Sequence, residues 1–260
     1  MGIAFMGIAF MGIAVIGIVL GTWIPGAVVR LEDVHNPASH KSGLSGQEQV
    51  FPGDCPLRGK MISIDGIDGC GKSTQIERLQ SWIERAHGTV QVVRDPGGTQ
   101  LGESLREILL HKKEIALDVR AEMLMYMASR AQLVHERVRP WLEEGIHVVS
   151  DRYLLANVVY QGYGGGLNPS EIWSVGAIAT GGLKPDLTIL LDLPAEIAAK
   201  RVGKEMDRLE SRGLEYMSRV REGFVHEASS YAGSLVKLDA TNSIEWIHEQ
   251  IREHAQKLWE

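Results

Sequence analysis

Gly66-Ile67-Asp68-Gly69-Cys70-Gly71-Lys72-Ser73-Thr74 is the stretch whose reading decides the fold. It follows a short β-type run, Met61-Ile62-Ser63-Ile64-Asp65, and leads into an amphipathic helical pattern. Strand, G-x-x-x-x-G-K-S and helix in that order are the context of a phosphate-binding P-loop. Gly66, Gly69 and Gly71 permit backbone angles and close approaches that a Cβ would block. The N–H groups of the loop and the N-terminus of the next helix then face a polyphosphate. Lys72 is placed to reach the β- and γ-phosphates, and the Ser73 hydroxyl to ligate Mg²⁺. A bare match of this kind can be a chance glycine-rich turn, but the flanking strand and helix argue for a site that binds ATP or another nucleoside triphosphate.

Outward from this loop, the chain from Lys60 onward alternates β-like runs with helical patterns. That alternation predicts an α/β fold, a three-layer sandwich with a parallel five-stranded sheet covered by helices on both faces. Strands are expected at 61–65, 89–93, 146–150, 187–192 and 234–239. Helices are expected near 72–86, 99–110, 118–143, 169–181, 194–203, 212–230 and 243–258, with Pro140 kinking or ending the third. Ligands of such sheets gather at the carboxyl ends of the strands. The loops after residues 65, 93, 150 and 192 are therefore the ones to read.

After the second strand comes Arg94-Asp95-Pro96-Gly97-Gly98-Thr99, a tight turn that aims Arg94 at the crevice of the P-loop. Its plain alternative is a β–α turn with Thr99 as the helix N-cap. The third strand leads into Asp151-Arg152-Tyr153, where a carboxylate can hold Mg²⁺ and a guanidinium can grip a phosphate, or where the two simply pair in a loop. Asn157, Tyr160 and Gln161 continue on one side of a short helix. In the long helix, Tyr126 and Arg130 lie four apart on one face, suited to clamping a nucleobase monophosphate or to a core tyrosine beside a solvated arginine. Val119, Leu124, Ala131, Val134 and Val138 are the expected core side of that helix. Lys200 to Glu210 is a charged segment, either a solvated helix or a mobile lid.

Taken together and in order, the P-loop, Arg94–Thr99, Ser129-Arg130-Ala131-Gln132, Asp151-Arg152-Tyr153 with Tyr160-Gln161-Gly162, Lys184-Pro185-Asp186-Leu187-Thr188 and Asp207-Arg208-Leu209-Glu210 resemble bacterial thymidylate kinase. The resemblance runs from about Lys60 to the C-terminus. It implies transfer of the γ-phosphoryl group of ATP to dTMP, with Mg²⁺, in a cytoplasmic homodimer. It also implies a P-loop cradling ATP, Asp68 near the acceptor sugar, Tyr126 stacking on thymine, and Arg130 contacting base and phosphate. Asn157 would reach the pyrimidine edge, Tyr160 would pack against the deoxyribose, and Arg94 and Arg152 would hold the dTMP phosphate.

The chain departs from the family pattern at several places. Asp65 and Asp95 stand where glutamate is usual, Ala156 where serine is common, and Gly165 where arginine is common. The lid near 201–212 is shortened and lacks its usual arginine, and the P-loop carries none. Lys204 and Arg208 then become the candidates for the transition-state cation, and with Lys72, Asp68 and Arg152 they make up the expected catalytic residues. Two other readings stay open: a nucleoside monophosphate kinase of altered base choice, and a membrane-tethered nucleotide-binding protein without kinase activity.

Bulk properties set outer limits. The 260 residues are 44% hydrophobic and 23% charged, enough for one α/β domain and an appendage. A formal net charge of −6 argues against general nucleic-acid binding. Cys55 and Cys70 sit in a Pro/Gly-rich tail and in the P-loop, which suggests no structural disulfide and a reducing compartment. Residues 1–29 are apolar and glycine-rich, open with Met-Gly-Ile-Ala-Phe twice over, and carry no Lys or Arg before Arg30. Their length permits a membrane span of about 20 residues, while the glycines weaken a helix in water. Residues 32–59 read as a flexible linker. Residues 1–59 are thus an anchor, a disordered leader or a start assigned too far upstream, and 60–260 are the catalytic domain.

Overall fold

The computed structural model describes residues 57–112, 114–201 and 213–260. The readings of residues 1–56, of Lys204 and Arg208, and of most of the lid lie outside the described residues. Five parallel strands form one sheet: β1 (Met61–Asp65), β2 (Val90–Arg94), β3 (His147–Asp151), β4 (Leu187–Asp192) and β5 (Leu235–Asp239), in the order β2-β3-β1-β4-β5. β1 is buried along its whole length, as a central strand covered on both faces must be. The chain moves outward from β1 in one direction to reach β2 and in the other to reach β5. With right-handed crossovers this places helices on opposite faces.

On one face, α1 (Lys72–Ala86) packs against β1, β2 and β3 and against α9 (Ile244–Gln256). The other face carries α2 (Gln100–Arg106), α3 (Val119–Leu133), α4 (Arg139–Glu143), α5 (Leu154–Asn157), α6 (Pro169–Thr180), α7 (Ala195–Arg201) and α8 (Leu214–Ser230). Side-chain caps start several of them: Thr99 accepts from Gly102, Asp118 from Arg120, Asn168 from Ser170 and Ser243 from Trp246. Thr99 is therefore an N-cap as well as a member of the turn after β2.

The strands and helices lie where the sequence places them, with informative shifts. β2, β3 and β5 begin a residue later than expected, and β2 and β3 also end one later, at Arg94 and Asp151. Those two side chains are the paired last residues of neighbouring strands rather than loop residues. Pro140 does not end its helix. A π-helical turn, Val134–Val138, already displaces the ladder just before it, and α4 runs on to Glu143. The expected core side of this helix is half right: Val134 and Val138 are buried, but Leu124 is 53% exposed. Tyr126 and Arg130 are themselves buried, because α3 is covered on that side by the segment that follows α5. That segment, Val158–Gly164, is also π-helical, and a Cβ at Gly165 just beyond it would meet Val119 Cγ2 at 2.6 Å. Cys70 is a buried free thiol, and no helix of the described residues is long and apolar enough to cross a membrane.

Candidate active site

The P-loop turns from β1 into α1 with Gly66, Gly69 and Gly71 all at positive φ (139°, 80° and 100°). Glycine is required most strictly at position 66, where a Cβ would stand 2.5 Å from the Leu191 carbonyl oxygen at the end of β4. Ile67 and Cys70 turn their side chains into the core, so they offer a ligand only their backbone. No side chain caps α1, which leaves its first N–H groups to a bound anion. The Lys72 ammonium donates to the Gly66 and Ile67 carbonyls at 3.2 and 3.1 Å and lies 3.6 Å from Asp68.

At the carboxyl ends of β1, β2 and β3 a crevice of about 200 Å³ brings together residues distant in sequence. Asp68, Lys72 and Ser73 come from the P-loop, Arg94 from β2, Tyr126 and Arg130 from α3, Asp151 and Arg152 from β3 and its turn, and Asn157 and Tyr160 from the segment after it. The predicted acceptor residues thus share one wall with the donor loop. Arg152 is the joint between them. Its guanidinium donates to the Gly66 carbonyl and to Asp68 Oδ1, and lies 5.2 Å over the Tyr160 ring, while the Tyr160 hydroxyl donates to Asp68 Oδ2 at 3.3 Å. Arg152 is also the one non-glycine residue at positive φ among the described residues, at 70°. Burial favours a neutral Asp68, but Arg152 and Lys72 outweigh it and hold the carboxyl at about 2.

Arg130 and Asn157 belong to a buried polar chain that sequence reasoning did not assemble. Arg130 Nε donates to Asp95 Oδ2 at 2.6 Å, and Nη1 donates to Asn157 Oδ1 at 3.0 Å. Asn157 Nδ2 donates to Gln161 Oε1, and Gln161 Nε2 donates to Glu122 Oε1 at 2.8 Å. The chain fixes which way the Asn157 amide faces. Asp95 lies in it fully buried; burial pushes its carboxyl up, with the Arg130 guanidinium acting against that. Arg94, by contrast, is half-exposed and pairs with Glu103 at 3.2 Å.

Arg106 was missed. It is half-buried in the crevice wall and donates to the Pro96 carbonyl at 2.9 Å. Its signal was a charge on the same helical face as Leu109 and Leu110, both buried. Asp65 was noted only as a departure. It is wholly buried beneath the P-loop, where burial, opposed by Arg152, Ser63, Tyr153 and Lys72, raises its carboxyl to about 6.

Two oxygens in the crevice are left over: Asp151 Oδ1 and Asp95 Oδ1 are buried and without a hydrogen-bond partner. The donor set suits a hard cation held mainly by water and phosphate. Asp151 and the Ser73 hydroxyl line the same space.

A sequence model of the family described as Thymidylate kinase matches residues 64–251, the span that contains all of these groups. The chain belongs to the thymidylate kinase family. It is similar to the thymidylate kinase of Rhodopirellula baltica, 46% identical over 196 residues, covering 75% of this chain and 80% of that one. The thymidylate kinase of Kosmotoga olearia is 43% identical over 192 residues, covering 73% and 92%. The crystal structure of thymidylate kinase from Ehrlichia chaffeensis superposes with a TM-score of 0.62 at 27% identity, covering 76% of this chain and 98% of that one. The family match therefore spans the P-loop and the crevice beside it alike.

Proposed function

We propose that this chain transfers the γ-phosphoryl group of ATP to dTMP, giving ADP and dTDP. The observation that carries the reading is the meeting of P-loop and acceptor wall at Arg152 and Asp68. An oxygen of the dTMP phosphate forms the new bond to the γ-phosphorus as the bond to the β–γ bridging oxygen breaks. There is little covalent chemistry for the protein to do, so positioning and charge neutralisation carry the rate. Gly66 to Thr74 cradle the ATP phosphates, and Lys72 neutralises charge on the transferred group. Arg152, with Arg106 and Arg94 beside it, holds the acceptor phosphate. Tyr126 stacks on the base, Asn157 reads its edge with Arg130 behind it, and Tyr160 and Asp68 face the sugar. Lys204 and Arg208 are proposed as the cations of the lid.

Ser73 and Asp151 are the residues that would hold Mg²⁺, which when bound neutralises charge on the phosphates. A homodimer is proposed from α3 and α6, which pack together and expose Leu124 and Ile178, the latter 82% exposed. A cytoplasmic location is proposed from the free, buried Cys70 and the reducing compartment it suits. An ATP-coupled assay across nucleoside monophosphates tests the activity. dTMP is expected to turn over fastest, and faster turnover of dUMP, CMP or GMP would overturn the assignment.

A further inference from the structure

A second cavity is larger than the crevice of the P-loop. It lies behind the β3–α5 turn, between α6 and the end of α8, and has a volume of about 580 Å³. A drug-sized ligand occupies a space of this order. Its walls are mainly apolar and aromatic: Leu154, Leu183, Trp173 and Tyr231, the last two edge to face with ring centroids 5.9 Å apart. Two charged residues line it. Lys184 is exposed at the rim, whereas Glu227 is only 8% exposed.

Glu227 is the unusual feature. One of its oxygens accepts from the Tyr163 hydroxyl at 2.7 Å and the other from Trp173 Nε1 at 2.9 Å. Both neighbours donate, so the group is set up as an acceptor-only carboxylate. Buried charges are ordinarily paired with an opposite charge. Glu227 has no ion-pair partner among the described residues, and a carboxylate has about four acceptor sites, of which these bonds use two. A buried, unpaired negative charge on the wall of an aromatic-lined cavity selects a flat cation and disfavours a phosphorylated ligand.

We propose that this cavity is a second ligand site, for a planar aromatic cation or protonated aromatic amine, and that it is coupled to the acceptor crevice through Tyr153. Tyr153 forms part of the cavity wall, with its hydroxyl bonded to the Leu183 carbonyl at 3.2 Å. Its backbone N–H donates to the buried Asp65, its carbonyl accepts from Arg130, and Arg130 lies 5.6 Å over its ring. It also follows directly on Arg152. A second path runs from Tyr231 on the cavity wall through Thr188 and Ser63, at 3.2 Å each, to Asp65 at 3.0 Å. A ligand pressed against Tyr153 and Tyr231 therefore bears on the groups that set Arg130 and the floor of the P-loop.

The test uses the full chain and 9-aminoacridine, a flat fluorescent cation, with acridine-9-carboxylate as its anionic counterpart. The cation is expected to bind and the anion not. Glu227→Gln keeps the shape, because the amide oxygen can accept from Trp173 and the amide nitrogen can donate to Tyr163. It should weaken the cation about tenfold or more, the loss of a charge-assisted contact. Ala177→Trp, at an exposed position at the cavity mouth, should block binding without disturbing that network. Saturating ADP and dTMP should leave the probe bound. Saturating probe should change the dTMP KM by roughly fivefold or more, the lower end of ordinary coupling between sites. The site is overturned by no binding to the unaltered chain, by equal binding of the anion, by affinity indifferent to both substitutions, or by displacement with ADP and dTMP. An unchanged KM at saturating probe overturns the coupling. Binding is read by fluorescence without turnover, so it stands or falls apart from the assignment of dTMP as acceptor.

Discussion

The Arg152 guanidinium donates to Asp68 Oδ1 from a backbone held at φ 70°, a conformation that few residues other than glycine adopt. Such strain persists where the surroundings over-determine it, and it clusters at functional sites. Here the bonds to Gly66 and Asp68 and the Tyr160 ring fix the side chain in the crevice beside the P-loop. Arg152→Ala is expected to raise the dTMP KM about 10- to 100-fold, the loss of a hydrogen bond to a charged group worth roughly 1.5–3 kcal/mol. A KM that does not move would refute Arg152 as the acceptor-phosphate contact. The same change removes the larger of the two charges that hold Asp68 at about 2, so the Asp68 carboxyl should titrate higher in the variant. Carbon-detected NMR of the side-chain carboxyl reads that directly.

Lys72 is held by two carbonyls of its own loop, at 3.2 and 3.1 Å, and so steadies the loop in addition to its proposed role toward the phosphate. Lys72→Ala should lower kcat roughly 10²- to 10³-fold, as removal of one transition-state donor commonly does. Its far-UV circular dichroism should match that of the unaltered chain. Lys72→Arg is not expected to rescue, because a planar fork replaces a compact ammonium in a closed loop. Restored turnover in the arginine variant would show that charge alone suffices.

Asp65 gives a pH dependence whose sign is fixed by its surroundings. Its folded pKa of about 6 lies above the ordinary value of 3.8, so the folded state binds the proton more tightly than the unfolded chain. Stability from this group is therefore intact below about pH 4 and falls as pH rises through about 6. At roughly 1.4 kcal/mol per pKa unit the loss is of the order of 3 kcal/mol. Asp65→Asn removes that titration. The amide oxygen still accepts from Tyr153, and Ser63 can turn its hydroxyl to accept from the amide nitrogen. The stability gap between the two proteins, from urea melts at pH 4, 5, 6 and 7, should move in favour of the asparagine variant as pH rises. A constant gap would mean that Asp65 titrates alike in both states.

Legibility from sequence divides along the range of the interactions. The P-loop was readable because its chemistry is local: glycines at positive φ, a lysine and a hydroxyl at the start of a helix are adjacent in the chain. Arg94, Asp151, Arg152, Asn157 and Tyr160 were readable as candidates because the carboxyl ends of parallel strands converge. Their partners were not. Which group Arg130 meets depends on bonds spanning 35 and 27 residues, and Gln161 reaches Glu122 across 39. Leu124 shows the converse, since helical periodicity marks an apolar face without saying whether anything covers it. Nothing in the sequence marks Glu227, because only the tertiary packing of Trp173 and Tyr163 buries it.

The pair Arg130 and Asp95 is buried to 2% and 0% exposure with its donor and acceptor 2.6 Å apart. Such a pair contributes little net attraction once the cost of taking both charges out of water is counted, but breaking it leaves one charge buried and alone. Arg130→Met is therefore expected to cost about 3–5 kcal/mol in urea denaturation. Adding Asp95→Leu should return much of that loss, because the double variant buries no unpaired charge. In activity the two should be alike: both lose the donor that fixes Asn157, so neither should regain the unaltered dTMP KM, whatever the double variant recovers in stability. Equal destabilisation of single and double variants would mean that Arg130 acts through packing against Met127 and Tyr153 rather than through its charge.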